Sequence, residues 1–210
     1  MTQSLEEKAS GVALIAGAIG LAVYALLIPL LLPGVGAKPD FVVWVTHPAW
    51  RWLCLLAMLS LVGLMIGFGG LYARMRSATG VWALIGFVAV ELAFLMMVCT
   101  LSAELLQYPV VGAHGDTAYL LRDKIIYDDP IVTAFRNTAL GASAIGLLLF
   151  NTALIRSRRF GKWPPLLALA GAVGVTLASV SVFIELVGIV LLGLGCVAMG
   201  WRLIGCGTAE

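Results

Sequence analysis

Hydrophobic positions in this sequence come in runs long enough to cross a bilayer, separated by short polar or proline-rich interruptions. A hydrocarbon core about 30 Å thick is crossed by about 20 apolar helical residues, and that length sets the reading. The first run, about residues 10–32, has Pro29 in its last turns, where a kink is expected, and stops at Pro33-Gly34. The stretch VGAKPDFVVWVTHPAW that follows is punctuated by Pro39 and Pro48, so it reads as an ordered loop with Phe41 to Val45 in the interface. A second span, about 49–72, carries Gly63 and Gly67 at the spacing that lets two helix backbones approach closely. The cationic link Arg74-Met-Arg76 leads into a third span, about 81–106, VWALIGFVAVELAFLMMVCTLSAELL.

A long loop from Gln107 to Pro130 is predicted to hold a surface helix from Asp116 through Tyr127, capped by Asp116, with Tyr119, Leu121 and Ile125 on its apolar side. The fourth span is about 131–155, and Pro164-Pro165 start the next helix. From Leu166 to Ile204 nearly every residue is apolar. One helix of that length would reach close to ~60 Å, about twice the hydrocarbon thickness, so the segment must fold back on itself. Its least apolar point, Ser179 to Glu185, places the turn and yields spans of about 165–180 and 183–203. The predicted fold is all-α: a single transmembrane domain over residues 1–210, a polytopic bundle of six spans.

Charge then orients the bundle. Lys8, Arg74, Arg76, Arg156, Arg158, Arg159, Lys162 and Arg202 fall on one side, while Lys38, Arg51, Arg122, Lys124 and Arg136 on the other are diluted by acids. The positive-inside rule puts both termini in the cytoplasm. Trp44, Trp50 and Trp52 then lie outside and Trp82, Trp163 and Trp201 inside, as aromatic belts at both interfaces require. The start, MTQSLEEKAS, is not a basic leader, and the first run reads as an uncleaved span.

Composition agrees: 61% of the residues are hydrophobic and 11% charged, against about a quarter charged in an ordinary soluble domain. A net charge of +2 with no basic cluster among aromatics excludes nucleic acid as an expected partner, leaving membrane lipid, a small hydrophobic ligand or another membrane protein. Cys54, Cys99, Cys196 and Cys206 form no CxxC pair, so no zinc or redox site is expected, and no cofactor.

Glu91, near the middle of the third span, is the leading functional candidate. An acid at the bilayer centre costs a few kcal/mol unless it is protonated, paired or hydrated, so it should face other helices. No basic residue of the predicted spans lies at its depth, and desolvation then favours the neutral acid, able to donate a proton or a hydrogen bond. On a helix it shares a face with Leu84, Val98 and Ser102, with Glu104 pointing well away.

In the outer layer, Arg51 and Arg136 are expected at the depth of Glu104 and Glu185. Two cations and two anions there form either an ionic latch between helices or an outward-facing polar pocket. His47 and His114 sit in external loops, which excludes haem held between spans. A two-histidine metal site would need an acid such as Asp40 or Asp116, and no metal is expected. Asn137, Ser143 and Asn151 are read as hydrogen-bonding across helices.

Two segments, the third-span AVELAFLM with Glu91 and the fourth-span exit LIRSRRFGKWPPLLALAG, resemble a group of uncharacterised bacterial membrane proteins with six helices, collected as a domain of unknown function. That resemblance implies a multi-pass protein of the bacterial inner (cell) membrane and carries no activity. An inverted repeat between the halves is not supported, because aligning Val90-Glu91-Leu92 with Ile184-Glu185-Leu186 sets a mid-span acid on one near a span's start.

With intramembrane polar residues but no catalytic constellation, the leading expectation is a protein that binds a lipid or small hydrophobic molecule, or acts as a membrane-complex partner. The alternatives are a proton-linked small-molecule transporter using Glu91, and a membrane enzyme acting on an isoprenoid or lipid with Glu91 or Glu104 as general acid.

Overall fold

The computed structural model describes residues 5–34, 41–126, 128–177 and 182–205, without the side chains of residues 182, 183 and 185. All regular structure among them is helical: α1 (Leu5–Leu31), α2 (Phe41–Val45), α3 (Pro48–Met75), α4 (Val81–Leu106), α5 (Tyr108–Ala113), α6 (Tyr119–Arg122), α7 (Pro130–Ser157), α8 (Trp163–Thr176) and α9 (Val182–Gly205). Prolines open several of them, since the first turn has no use for their missing N–H. Pro48 follows the capping residue His47, and Pro130 follows Asp129, whose carboxylate accepts from the N–H groups of Ile131 and Val132 at 2.9 and 3.2 Å. Pro29 lies within α1, which runs past it to Leu31.

Five of the helices are long and apolar enough to cross a membrane, and α8 is a shorter apolar helix. At 14 residues α8 measures about 21 Å, short of the hydrocarbon thickness. Of the turn expected at Ser179 to Glu185, residues 179–181 lie outside the described residues, whereas residues 182–185 form the first turn of α9, so the expected turn and helix overlap there.

The long helices and α8 form a ring. Each packs on its neighbour in the order α1, α3, α4, α7, α8, α9, and α9 closes on α1. Successive members run in opposite directions, so the closing contact is antiparallel like the rest, and glycines line the seams α1–α3, α4–α7, α8–α9 and α9–α1. A Cβ added to Gly63 would lie 2.9 Å from the Ala13 carbonyl oxygen of α1, one on Gly146 2.7 Å from the Val90 nitrogen of α4, one on Gly188 2.6 Å from the Val175 nitrogen, and one on Gly11 2.8 Å from the Gly200 oxygen. Between membrane helices there is no hydrophobic driving force, so close backbone packing of this kind holds them together. Inside the ring, Phe68, Phe94 and Phe150 form the centre of the main core, with Phe87 stacked on Tyr72.

At the end of the ring where α1 and α4 finish and α3 and α7 begin, α2, α5 and α6 make a cap with its own core of Val45, Trp50, Leu53, Tyr108 and Leu121. The expected surface helix is absent. The segment after α5 turns back at residues 114–118, where the Thr117 hydroxyl donates to the Val111 carbonyl at 2.9 Å, and only the single turn of α6 follows. Ala118, not Asp116, precedes that turn, and Lys124 takes a positive φ of 57° that breaks the helix before Ile125. Leu121 is consequently buried in the cap while Tyr119 and Ile125 are exposed. Tyr127, the expected end of that helix, lies outside the described residues. Phe41 to Val45, expected as interfacial loop, is the helical floor of the same cap.

Candidate functional site

All six members of the ring contribute to one central cavity of about 310 Å³. Its wall is mostly aliphatic and aromatic, from Leu21 of α1, Leu61 of α3, Phe94 and Met97 of α4, Leu147 of α7, Val175 of α8 and Leu192 of α9. Polar groups join it from four side chains besides Tyr24: Thr100, Ser143, Glu104 and Arg136. Two of the four expected outer charges therefore meet at one cavity, because α4 ends and α7 begins at the same end of the bundle. Tyr108, the first residue of α5, lies within electrostatic reach of both Glu104 and Arg136, and the Cys54 thiol within reach of Glu104. The backbone beside Glu104 is also held: the Trp50 indole N–H donates to its carbonyl oxygen at 3.0 Å, tying the start of α3 to the end of α4.

Arg51 is elsewhere. It is exposed at the start of α3 and borders a separate surface groove with His47. Glu185 belongs to the first turn of α9, with its side chain outside the described part of the structure.

His47 is the N-cap of α3, its Nδ1 accepting from the Ala49 N–H at 3.2 Å. His114 lies at the end of α5 with Nδ1 2.8 Å from the Val110 carbonyl, a bond in which the ring must donate. Among the described residues no three His, Cys, Asp or Glu side chains come together as a metal site.

Glu91 does not line the central cavity. It shares a helical stripe with Phe87 and Phe94, which pack on Tyr72 and Phe68 of α3, and its Oε1 is buried without a hydrogen-bond partner among the described residues. Asn151 of α7 is fully buried. Its amide donates to the Leu147 carbonyl one turn earlier in the same helix at 2.8 Å, while Oδ1 has no partner among the described residues. The expected cross-helix bond from Asn151 is thus an intrahelical one, Asn137 is exposed, and Ser143 faces the cavity. Of the tryptophans, Trp52, Trp82, Trp163 and Trp201 are exposed, whereas Trp50 is buried and Trp44 donates to the Pro33 carbonyl at 2.8 Å. Tyr24 and Thr100, not singled out in the sequence, line the cavity, and Tyr108 lies within electrostatic reach of its two charged groups. A small polar residue in a span carries no local signal of the direction it faces, so only packing identifies these.

No known protein family, curated protein or solved structure matches this chain. It is a multi-span helical membrane protein.

Proposed function

We propose that this protein binds a small hydrophobic molecule with a polar end in the cavity at the axis of the ring. The cavity itself carries the reading: apolar walls from every member of the ring, and Glu104 with Arg136 as convergent charged groups. Ligand sites have this make-up, mainly apolar with a few polar groups that orient the ligand, and span about 300–1,000 Å³. At about 310 Å³ the space suits a compact molecule or a single hydrocarbon chain, not a whole phospholipid. The apolar portion would gain from burial among Leu61, Phe94 and Leu192, and the polar end would select through hydrogen bonds or charge at Glu104 and Arg136. The readings that put Glu91 at the chemistry have less support, because Glu91 does not line this cavity and a proton carrier needs a hydrated route.

The proposal extends to place and orientation: six spans, with α8 as the short one, in the bacterial cell membrane, and both termini cytoplasmic. Its support is the gathering of cations at the uncapped end. There Arg159 donates to the Arg74 carbonyl and to Ser77, and Arg74 donates to the Arg202 carbonyl at 3.4 Å. Kinship with the bacterial six-helix group belongs to the same proposal.

Mass spectrometry of molecules extracted from the purified protein tests the binding. An apolar species is expected in near-stoichiometric amount from the wild type. Ala139→Phe, which puts a ring where the cavity wall is small, should lower it by about tenfold or more, a loss of about 1.4 kcal/mol or more. Ser143→Leu repeats the test one turn along α7, and an unchanged unfolding temperature serves as the fold control. Equal retention in folded variants would overturn the proposal.

A further inference from the structure

A second site lies outside the ring and does not depend on the central cavity. A groove of about 350 Å³ runs between the start of α3 and the cap, bordered by Thr46, His47, Pro48, Arg51, Pro109 and Ala113. Its depth in the membrane follows from helix length. At 28 residues, α3 is about 42 Å long, about 12 Å more than the hydrocarbon core, so about four residues project at each end. Arg51 is the fourth residue of α3, and its neighbour Trp52 is 73% exposed, where an interfacial tryptophan belongs. The groove therefore opens at headgroup depth.

Two donors face this depth without another use. Arg51 makes no hydrogen bond or ion pair among the described residues. His47 accepts at Nδ1 from the Ala49 N–H, so the proton of its neutral ring sits on Nε2, which remains a donor. Among the described residues no acid borders the groove, and Pro109 and Ala113 supply an apolar wall beside the charge. A guanidinium fork matches the paired oxygens of a phosphate better than any other anion-binding side chain. The geometry points to a binding site for a phosphate group in this groove, that of an anionic phospholipid headgroup, held by Arg51 with His47 Nε2–H as second donor.

The test uses the full-length protein in nanodiscs of phosphatidylcholine with and without phosphatidylglycerol. A photoreactive benzoylphenylalanine replaces Val110, an exposed position next to Pro109, and lipid adducts are identified by mass. Phosphatidylglycerol adducts should exceed phosphatidylcholine adducts, per mole of lipid, by about fivefold, the effect of one cation near an anionic surface. Arg51→Gln should abolish the excess, Arg51→Lys should keep part of it, and Arg76→Gln at the other end of the bundle should leave it unchanged. His47→Asn keeps an oxygen for the cap while removing the Nε2 donor, so it should reduce the excess in a protein that still unfolds at the wild-type temperature. Inorganic phosphate added to the buffer distinguishes the two sources of the same chemistry. Adducts that persist identify the lipid, whereas displacement at millimolar phosphate would overturn the lipid assignment in favour of a free anion. Equal yields from the two lipids, no lipid adduct at all, or an excess that survives Arg51→Gln would each overturn the site.

Discussion

Two acids on the same helix, Glu91 and Glu104, have opposite surroundings. Glu104 reaches the central cavity that Arg136 also lines, and its own carbonyl is engaged by Trp50. Glu91 has a buried carboxyl oxygen that accepts no hydrogen bond among the described residues. Leaving a buried polar group unsatisfied costs about 1–3 kcal/mol, whereas an apolar group of similar shape removes that cost. Glu91→Met keeps the length of the side chain and discards the acid. It should raise stability in detergent by about 1–2 kcal/mol and leave retention of the cavity ligand unchanged. Thermal unfolding followed by circular dichroism gives the answer. A less stable variant would mean that the carboxyl has a partner in the membrane, and would return weight to a proton-carrying role.

Between elements, the glycines decide which helices touch. Gly146 meets the backbone of α4 at Val90, and Gly63 meets that of α1 at Ala13, whereas a Cβ on Gly69 would meet nothing within 4 Å. A side chain added at the first of these sites and at Gly69 should therefore give opposite signs. Gly146→Leu forces α4 and α7 apart and should cost about 1–3 kcal/mol or more, as overpacking does. Gly69→Ala should stabilise by about 0.5–1 kcal/mol through lower chain entropy in the unfolded state. Losses of equal size at both positions, read from thermal unfolding in detergent, would show that the α4–α7 seam is not as close as described. The cap illustrates a different limit on reading elements locally. Residues 116–127 have the amphipathic pattern of a surface helix, but the Thr117 hydroxyl bond to Val111 and the positive φ of Lys124 spend the segment on turns instead. Hydroxyl and turn chemistry of this kind competes with helix wherever tertiary contacts favour it.

For the whole molecule, an even number of alternating helices allows the last to close on the first in the same antiparallel sense as every other pair. That closure produces the axial cavity, and it leaves the cap at one end and the arginine cluster at the other. The proposed orientation in the membrane rests on that cluster. Reporters fused after Arg76 and after Lys162 should report cytoplasm, and a reporter inserted at Gly112 in the cap should report the outside. Reversed signals in alkaline phosphatase and fluorescent-protein fusions would turn the cavity's charged groups and the Arg51 groove toward the cytoplasm and overturn the proposed orientation.

The all-helical, multi-pass character of this chain is determined by sequence alone, because it depends on run length and hydropathy, which are local properties judged against a fixed bilayer thickness. Depth is similarly legible: at about 1.5 Å per residue, Arg51 and Arg136 near the starts of their helices and Glu104 near the end of another must all lie toward one face of the membrane. Direction around a helix axis is not. Arg136 and Glu104 face a common cavity while Arg51 faces the surface. Likewise Trp50 is drawn into the cap beside an exposed Trp52. The sequence pattern of a helix surrounded by lipid and protein, both apolar, carries little of the polar-to-apolar contrast that marks the inward side in water. Only the packing of glycine seams and the closing of the ring chose which side chains would look inward.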